Sequence, residues 1–471
     1  MNLTHGVIHP GGTMNYKKHA ALGLTALLLA AGCGSSKAKS STATTVKAAT
    51  ATTNASTTPA AAGGGCDGKL PSGTTTLDVW YHQGEQADAD LMKQMATSFN
   101  SSQTDVKVNL KEIPGADYAS TVKGAAAAKQ LPGVLDADSS YAFNYAWSGA
   151  LQPIESCIPA ALKSDLLPSI VSGGSWAGHQ WGVGLVDSGV ALYASKKALT
   201  KAGVRIPTGY SDAWTATEFD DVLAKLKTAG FVKPLDVWKN IGKGEFYPYA
   251  YAPLIWSAGG DLIDRTSYKT AGGVLNSPAS VKALTEFQNY FKNGYVDDNT
   301  DTNAFLSGRS ALSWVGFWQY APFKKALGDD LLVLPLPNYG TKPAGAQGSW
   351  QWTMTKGVDP DVAWKWMAYT MSADNVAAMA KANSGVPALQ SVLAKNDLYG
   401  PSGGLALIGE ALAKGYSVAR PPHPAYATIS GAVAQAFQDA IDGKDPKAAL
   451  DAAVKTIDDD LKANNYYPLP G

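Results

Sequence analysis

The chain has 471 residues, and its 39 Lys and Arg balance 39 Asp and Glu, so no net field favours nucleic acid or an acidic surface as a partner. Hydrophobic residues make up 45% and charged residues 17%, a globular composition in a chain too long for one ordinary core. The unusual component is aromatic: 13 tryptophans and 21 tyrosines supply large rings with a polar handle, which either fill a core or line a cleft.

Lys17, Lys18 and His19 precede an apolar stretch from Ala20 to Ala31 that closes on small residues, the order of a secretory signal. At about 12 residues that stretch is well short of the roughly 20 that span a bilayer as a helix. Residues 1–13 carry no signal character, and Met14 is the expected start. Leu29-Ala30-Ala31-Gly32-Cys33 resembles the lipobox of bacterial lipoproteins, which implies cleavage before Cys33 and acylation of its thiol. Ala30 departs from the usual Leu, and plain cleavage is the alternative. Residues 34–66 are nearly all Ser, Thr, Ala, Gly and Lys, without an aromatic ring, and cannot bury enough surface to offset ordering. They are expected to form a tether. With Cys33 assigned to lipid, Cys66 and Cys157 form an even pair in a compartment that permits disulfides. A bond between them is expected, against the alternative of two free thiols.

From Cys66 onward strands alternate with helices. β-Branched residues predict a strand at Thr75–Tyr81, and Leu91, Met95 and Phe99 mark one face of a helix over Ala87–Asn100. Strands are predicted at Val106–Ile113 and Gly133–Asp138, with a helix over Asp117–Lys129 between them, an α/β rhythm. Ligands gather beyond the carboxyl ends of such strands, where Trp80–Gln83 and Asp138–Tyr141 lie. Ser277-Pro278, Asp359-Pro360 and Asp445-Pro446 each set an N-cap oxygen before a first-turn proline and predict helix starts. Further strands are predicted at Ala311–Val315, Leu331–Pro337 and Trp350–Thr355, and helices at Ala363–Ser372, Ile429–Ile441 and Lys447–Ala463.

Motifs for chemistry are scarce. There is no phosphate loop, no H-E-x-x-H and no G-x-S-x-G, and "GVGLVD" at Gly182 breaks the dinucleotide pattern at its last glycine. Asp297-Asp298-Asn299-Thr300-Asp301 opens like a calcium loop, but Thr302 stands where the turn needs glycine and no Glu closes it, so a solvated acidic loop is expected. No metal or cofactor is expected.

Aromatic landmarks in order carry a resemblance. "GHQWGVGLVDSGVALYASKKALTKAGV" (Gly178 to Val204), "DAWTATEFDDVLAKLK" (Asp212 to Lys227), "YAPLIWSAGGDLID" (Tyr251 to Asp264), "LNSPASVKALTEFQNYFKNGYV" (Leu275 to Val296), "FLSGRSALSWVGFW" (Phe305 to Trp318), "LPLPNYG", "GSWQWTMTKG" and "SGVPAL" follow one another as in the carbohydrate-type extracellular solute-binding proteins. The chain resembles that family, relatives of maltose-binding protein, over nearly everything after the tether. Leu185 for proline, Ala194-Ser195 for an Asn neighbourhood and Ser313 for Met are departures.

The resemblance implies an α/β, two-lobed periplasmic-binding-protein-like fold with hinge strands and an interlobe ligand cleft. The lobes are expected at 67–187 with 336–360 and at 188–335 with 361–471. A sugar offers flat C–H faces ringed by hydroxyls, so its site needs rings and polar side chains. The resemblance assigns Trp80, His82, Asp138, Tyr141, Asp187, Trp256, Trp318 and Trp350 to it, with Trp352 and Arg420 as weaker candidates. It further implies a monomeric receptor, not an enzyme, held by a lipid anchor at the extracellular face of the membrane, where it delivers a carbohydrate to the permease of an ABC importer. A peptide or polyamine receptor is an alternative, the polyamine disfavoured by few acidic residues near the aromatic landmarks. A secreted glycoside hydrolase is the other, with Asp138 and Asp187 as its carboxylates.

Overall fold

A computed structural model describes residues 65–298 and 301–469. Cys33 and nearly all of the expected tether lie outside them. Among the described residues no helix is long and apolar enough to cross a membrane.

The first sheet orders Val106–Ile113, Thr75–His82, Val134–Asp138, Trp350–Thr355 and Leu151–Gln152, with Gly182–Val183 also paired to Trp350–Thr355. Its first three strands are parallel and Trp350–Thr355 is antiparallel to its neighbours. Alternation buries Leu77, Val79 and Tyr81 on one face, against Met92, Met95 and Phe99 of the helix Gln86–Ser102. Cys66 is disulfide-bonded to Cys157, pinning the start of the described chain to this lobe.

The second sheet orders Leu235–Asp236, Leu312–Gly316, Val190–Ser195 and Leu331–Leu334. Over it lies an aromatic core that includes Trp214, Tyr251, Phe287, Trp314 and Phe437. The Ser277, Asp359 and Asp445 side chains cap their helices as the Pro-marked starts predict.

The chain passes between the sheets three times: once near residue 188, once near residue 348 and once after residue 387. The first and last passages pair as a short antiparallel ribbon, Val186–Asp187 with Val386–Pro387. The lobe boundaries differ from those expected. Gly345–Gln347 pairs with Ser417–Ala419, and Ala344 and Ala346 are buried in the second core, so the second lobe keeps the chain to about residue 347. The helices Pro360–Thr370 and Ala373–Asn383 instead bury Trp366, Met367, Met371, Val376 and Met379 in the first core. Helical periodicity marks an apolar face without saying which sheet the face covers.

Candidate functional site

Three strand ends converge on the gap between the lobes. His82 closes its strand, Asp138 closes the next parallel strand, and Trp350 opens the antiparallel strand in register with Asp138. They line one wall of a cleft of about 660 Å³, whose other wall includes Glu245, Tyr249, Trp318 and Arg420.

On the first wall the His82 and Trp350 rings stack with centroids 3.7 Å apart and planes within 7°. His82 Nδ1 lies 2.5 Å from Asp136 Oδ2, which fixes the imidazole plane, and Tyr118 meets Trp350 edge-on at 5.2 Å. Glu85 and Asp88 also line the cleft, and Glu85 accepts from Gln319 Nε2 at 2.9 Å. Burial pushes the Asp88 carboxyl up to about 6, with His82 opposing the shift, and one of its oxygens, Oδ1, is buried without a hydrogen-bond partner.

On the second wall Tyr249 and Trp318 stack with centroids 6.0 Å apart. Gly316 makes room for the fold-back of Trp318, since a Cβ there would come within 1.9 Å of the indole. Tyr249 Oη donates to Ser188 Oγ at 3.1 Å, and Ser188 donates to the Gly348 carbonyl at 2.8 Å, tying the wall to two of the chain passages.

A buried ion triad joins the walls. Arg420 Nη1 reaches Asp138 Oδ2 at 3.0 Å and Glu245 Oε1 at 2.5 Å, while Nη2 donates to the Gly348 carbonyl at 3.1 Å. Burial disfavours the guanidinium charge, but Asp138 and Glu245 outweigh it and hold the arginine pKa well above its ordinary value. Glu245 also accepts from Tyr426 and Ser430, and burial raises its pKa despite Arg420. Gly348 has φ +99°, which strains any residue with a side chain, and a Cβ there would crowd Arg420 Nη2 at 3.2 Å.

The structure places His82, Asp138, Tyr141, Trp318 and Trp350 along the cleft and three other expected residues elsewhere. Trp80 shares a sheet face with His82 but sits two residues earlier, about 7 Å back from the strand end, with Lys111 Nζ 4.6 Å over its ring. Trp256 shares the helix Phe246–Ala258 with Tyr249 but lies about 10 Å further along its axis. It is 7% exposed, packed in the second core, and donates to Asp261. Asp187 is 1% exposed and accepts from the Ser188 and Gly348 backbone amides, so it braces the passages instead of facing a guest. That removes it from the carboxylate pair a hydrolase would use. Trp352 is 1% exposed and meets Trp366 edge-on.

Sequence reading missed Glu85, Asp88, Glu245 and Tyr249. The expectation that acidic residues are scarce near the aromatic landmarks is overturned, because loops distant in sequence bring these carboxylates together. One signal was available: Glu245 and Tyr249 are four apart at the start of an aromatic helix and share its face. In the acidic loop, Asp298 is paired with Lys233 and Lys239, and Asp301 with Arg309. Among the described residues no three His, Cys, Asp or Glu side chains gather so that they could hold a metal ion.

Residues 94–399 match the family described as bacterial extracellular solute-binding protein. The chain belongs to that family. It is 24% identical over 417 residues to the maltotriose-binding protein of Pyrococcus abyssi, covering 83% of either chain. It is 26% identical over 303 residues to the maltodextrin-binding protein MdxE of Bacillus subtilis, covering 60% of this chain and 68% of the relative. The GacH receptor of Streptomyces glaucescens, solved unliganded and with acarbose, shares the two-lobed fold at a TM-score of 0.70 and 22% identity, over 84% of this chain and 100% of that one.

Proposed function

We propose that this solute-binding protein captures an oligosaccharide between its lobes and hands it to the permease of an ABC importer. The observation that carries the reading is the pairing of ring faces across the cleft: the Trp350–His82 stack on one wall, Trp318 with Tyr249 on the other, and carboxylates between them. Rings cover the C–H faces of a pyranose, and Glu85, Asp88 and Asp136 accept from its hydroxyls. The relatives named for maltotriose, maltodextrin and acarbose support a glucose-based ligand. His82, Trp318 and Trp350 are assigned to ligand contact. The protein works as a monomeric binder without turnover, exported through its N-terminal signal and held to the extracellular face of the cell membrane by acyl chains on Cys33, which the tether separates from the folded body.

The test is a thermal-shift panel of mono- and oligosaccharides with spermidine and short peptides as other classes. A ligand at 100 times its Kd stabilises the fold by about 2.7 kcal/mol. A shift from a gluco-oligosaccharide, with no product released, is expected. A shift from spermidine or a peptide with none from any sugar overturns the assignment.

A further inference from the structure

The ion triad has a property that the ring faces lack: its acceptors are already committed within the protein. Asp138 is the N-cap of the helix Ser139–Trp147, and its Oδ1 accepts from the Ser140 amide at 3.0 Å and the Ser140 hydroxyl at 2.5 Å, while Oδ2 takes Arg420. Both Glu245 oxygens are likewise taken, Oε1 by Arg420 and Tyr426 and Oε2 by Ser430. Asp138 belongs to the first lobe and Arg420, Glu245, Tyr426 and Ser430 to the second. Two neutral bonds cross beside them: Tyr141 Oη donates to Ser430 Oγ at 3.1 Å, and Asn144 Nδ2 to the Pro424 carbonyl at 2.8 Å. Asp138, Tyr141 and Asn144 come from one strand end and its following helix, so one rigid element of the first lobe docks on the second here; a further bond between the lobes, Gln319 Nε2 to Glu85 Oε1 at 2.9 Å, lies apart from it.

We propose that Arg420 is a positioning residue which latches the lobes through Asp138 and Glu245, so that it sets how readily the cleft closes without selecting which ligand is bound. The cation is 4% exposed and its guanidinium also lies 5.3 Å from the Tyr249 ring, so it seats the second-wall platform as it bridges the lobes. A planar fork with several fixed donors is needed to meet Asp138, Glu245 and the Gly348 carbonyl at once, which a lysine ammonium on a flexible stem cannot do. Opening the lobes separates Arg420 from Asp138 and leaves the carboxylate with its Ser140 bonds alone. The latch thus adds the same free energy to closure for every guest, and the apparent Kd of each ligand scales inversely with the closed fraction.

This inference rests on the sugar-binding reading, and its test separates the two. Asp138→Asn and Arg420→Met are compared with the parent protein, full length from the mature start, by X-ray scattering without sugar and by calorimetric titration with several oligosaccharides. Both variants are expected to show a larger radius of gyration without sugar. Their Kd values are expected to rise by one common factor, on the order of 10 to 100, for all sugars, with Arg420→Lys failing to restore the parent values. An unchanged radius in a folded Asp138→Asn overturns the latch even if no sugar binds at all, whereas a panel of sugars that fails to bind the parent overturns the functional reading alone. A change in the rank order of sugars also overturns the latch, because it makes Arg420 or Asp138 a ligand contact. Asp138→Asn keeps the helix cap oxygen, so it remains informative if Arg420→Met does not fold.

Discussion

The two lobes fill their interiors with different side chains. The first holds Met92, Met95, Met354, Met367, Met371 and Met379 with a disulfide at its edge, while the second holds Trp214, Tyr251, Phe287, Tyr290, Trp314 and Phe437 and no methionine. Methionine adapts to irregular gaps, as between a mixed sheet and helices that arrive from distant parts of the chain. Interlocking rings have few alternatives, and in the second lobe they pair both edge-on, as Phe287 does with Phe437 at 5.2 Å, and stacked, as Trp214 does with Phe219 at 5.9 Å. An aromatic-rich sequence therefore does not by itself indicate an aromatic-rich cleft: most of the rings in the second lobe are buried in its core, and those that line the cleft lie near the chain passages.

The largest test of this contrast is the disulfide. Cys157→Ser opens a loop of 91 residues and should destabilise the protein by about 4 to 5 kcal/mol on the chain-entropy model. Denaturant unfolding followed by hydrogen exchange should place the loss in the first lobe, and an equal loss in both lobes would erase the contrast. Trp314→Ala should cost about 3 to 5 kcal/mol, localised to the second lobe, because its ring is fully buried and its Nε1 is bonded to the Ala250 carbonyl. Next comes the cleft: Trp350→Ala should raise the oligosaccharide Kd about 30-fold, near 2 kcal/mol, whereas Trp256→Phe should leave Kd unchanged and lower the melting temperature. The smallest effect is a pH dependence with a counterpart in each lobe. Burial raises both Asp88 and Asp236 from 3.8 to about 6. The folded state then holds more protons than the unfolded one across that window, so stability falls as pH rises from about 4 to about 6. Asp88→Asn and Asp236→Asn should each flatten the slope. Saturating sugar should alter only the Asp88 contribution, since Asp236 does not line the cleft.

Local rules made much of the fold legible. The strands Val106–Ile113 and Trp350–Thr355 fall at the bounds their β-branched and aromatic runs predict, and three Pro-marked caps start helices where expected. These features depend on backbone chemistry within a few residues. The assignment of Pro360–Asn383 to a lobe, the burial of Trp256 and the convergence of Glu85, Asp88 and Glu245 depend on contacts between residues far apart in the chain. Trp318 and Trp256 show the difference well: both sit beside glycines in family-like motifs, and their place along the supporting element separates a cleft-lining ring from a core ring. Arg420 carried a weak signal in "ARPPHP", yet nothing in that segment reveals that its partners are Asp138 and Glu245.

The strand Trp350–Thr355 lies between Val134–Asp138 and Leu151–Gln152, and two of the helices covering that sheet, Pro360–Thr370 and Ala373–Asn383, follow it in the chain. The amino-terminal half of the molecule therefore has a gap in the middle of its sheet until late in synthesis. A polypeptide emerging from the ribosome cannot complete either lobe early. The first sheet is closed only once residue 355 has been made, and the second lobe awaits the helix Pro446–Ala463 near the end of the chain.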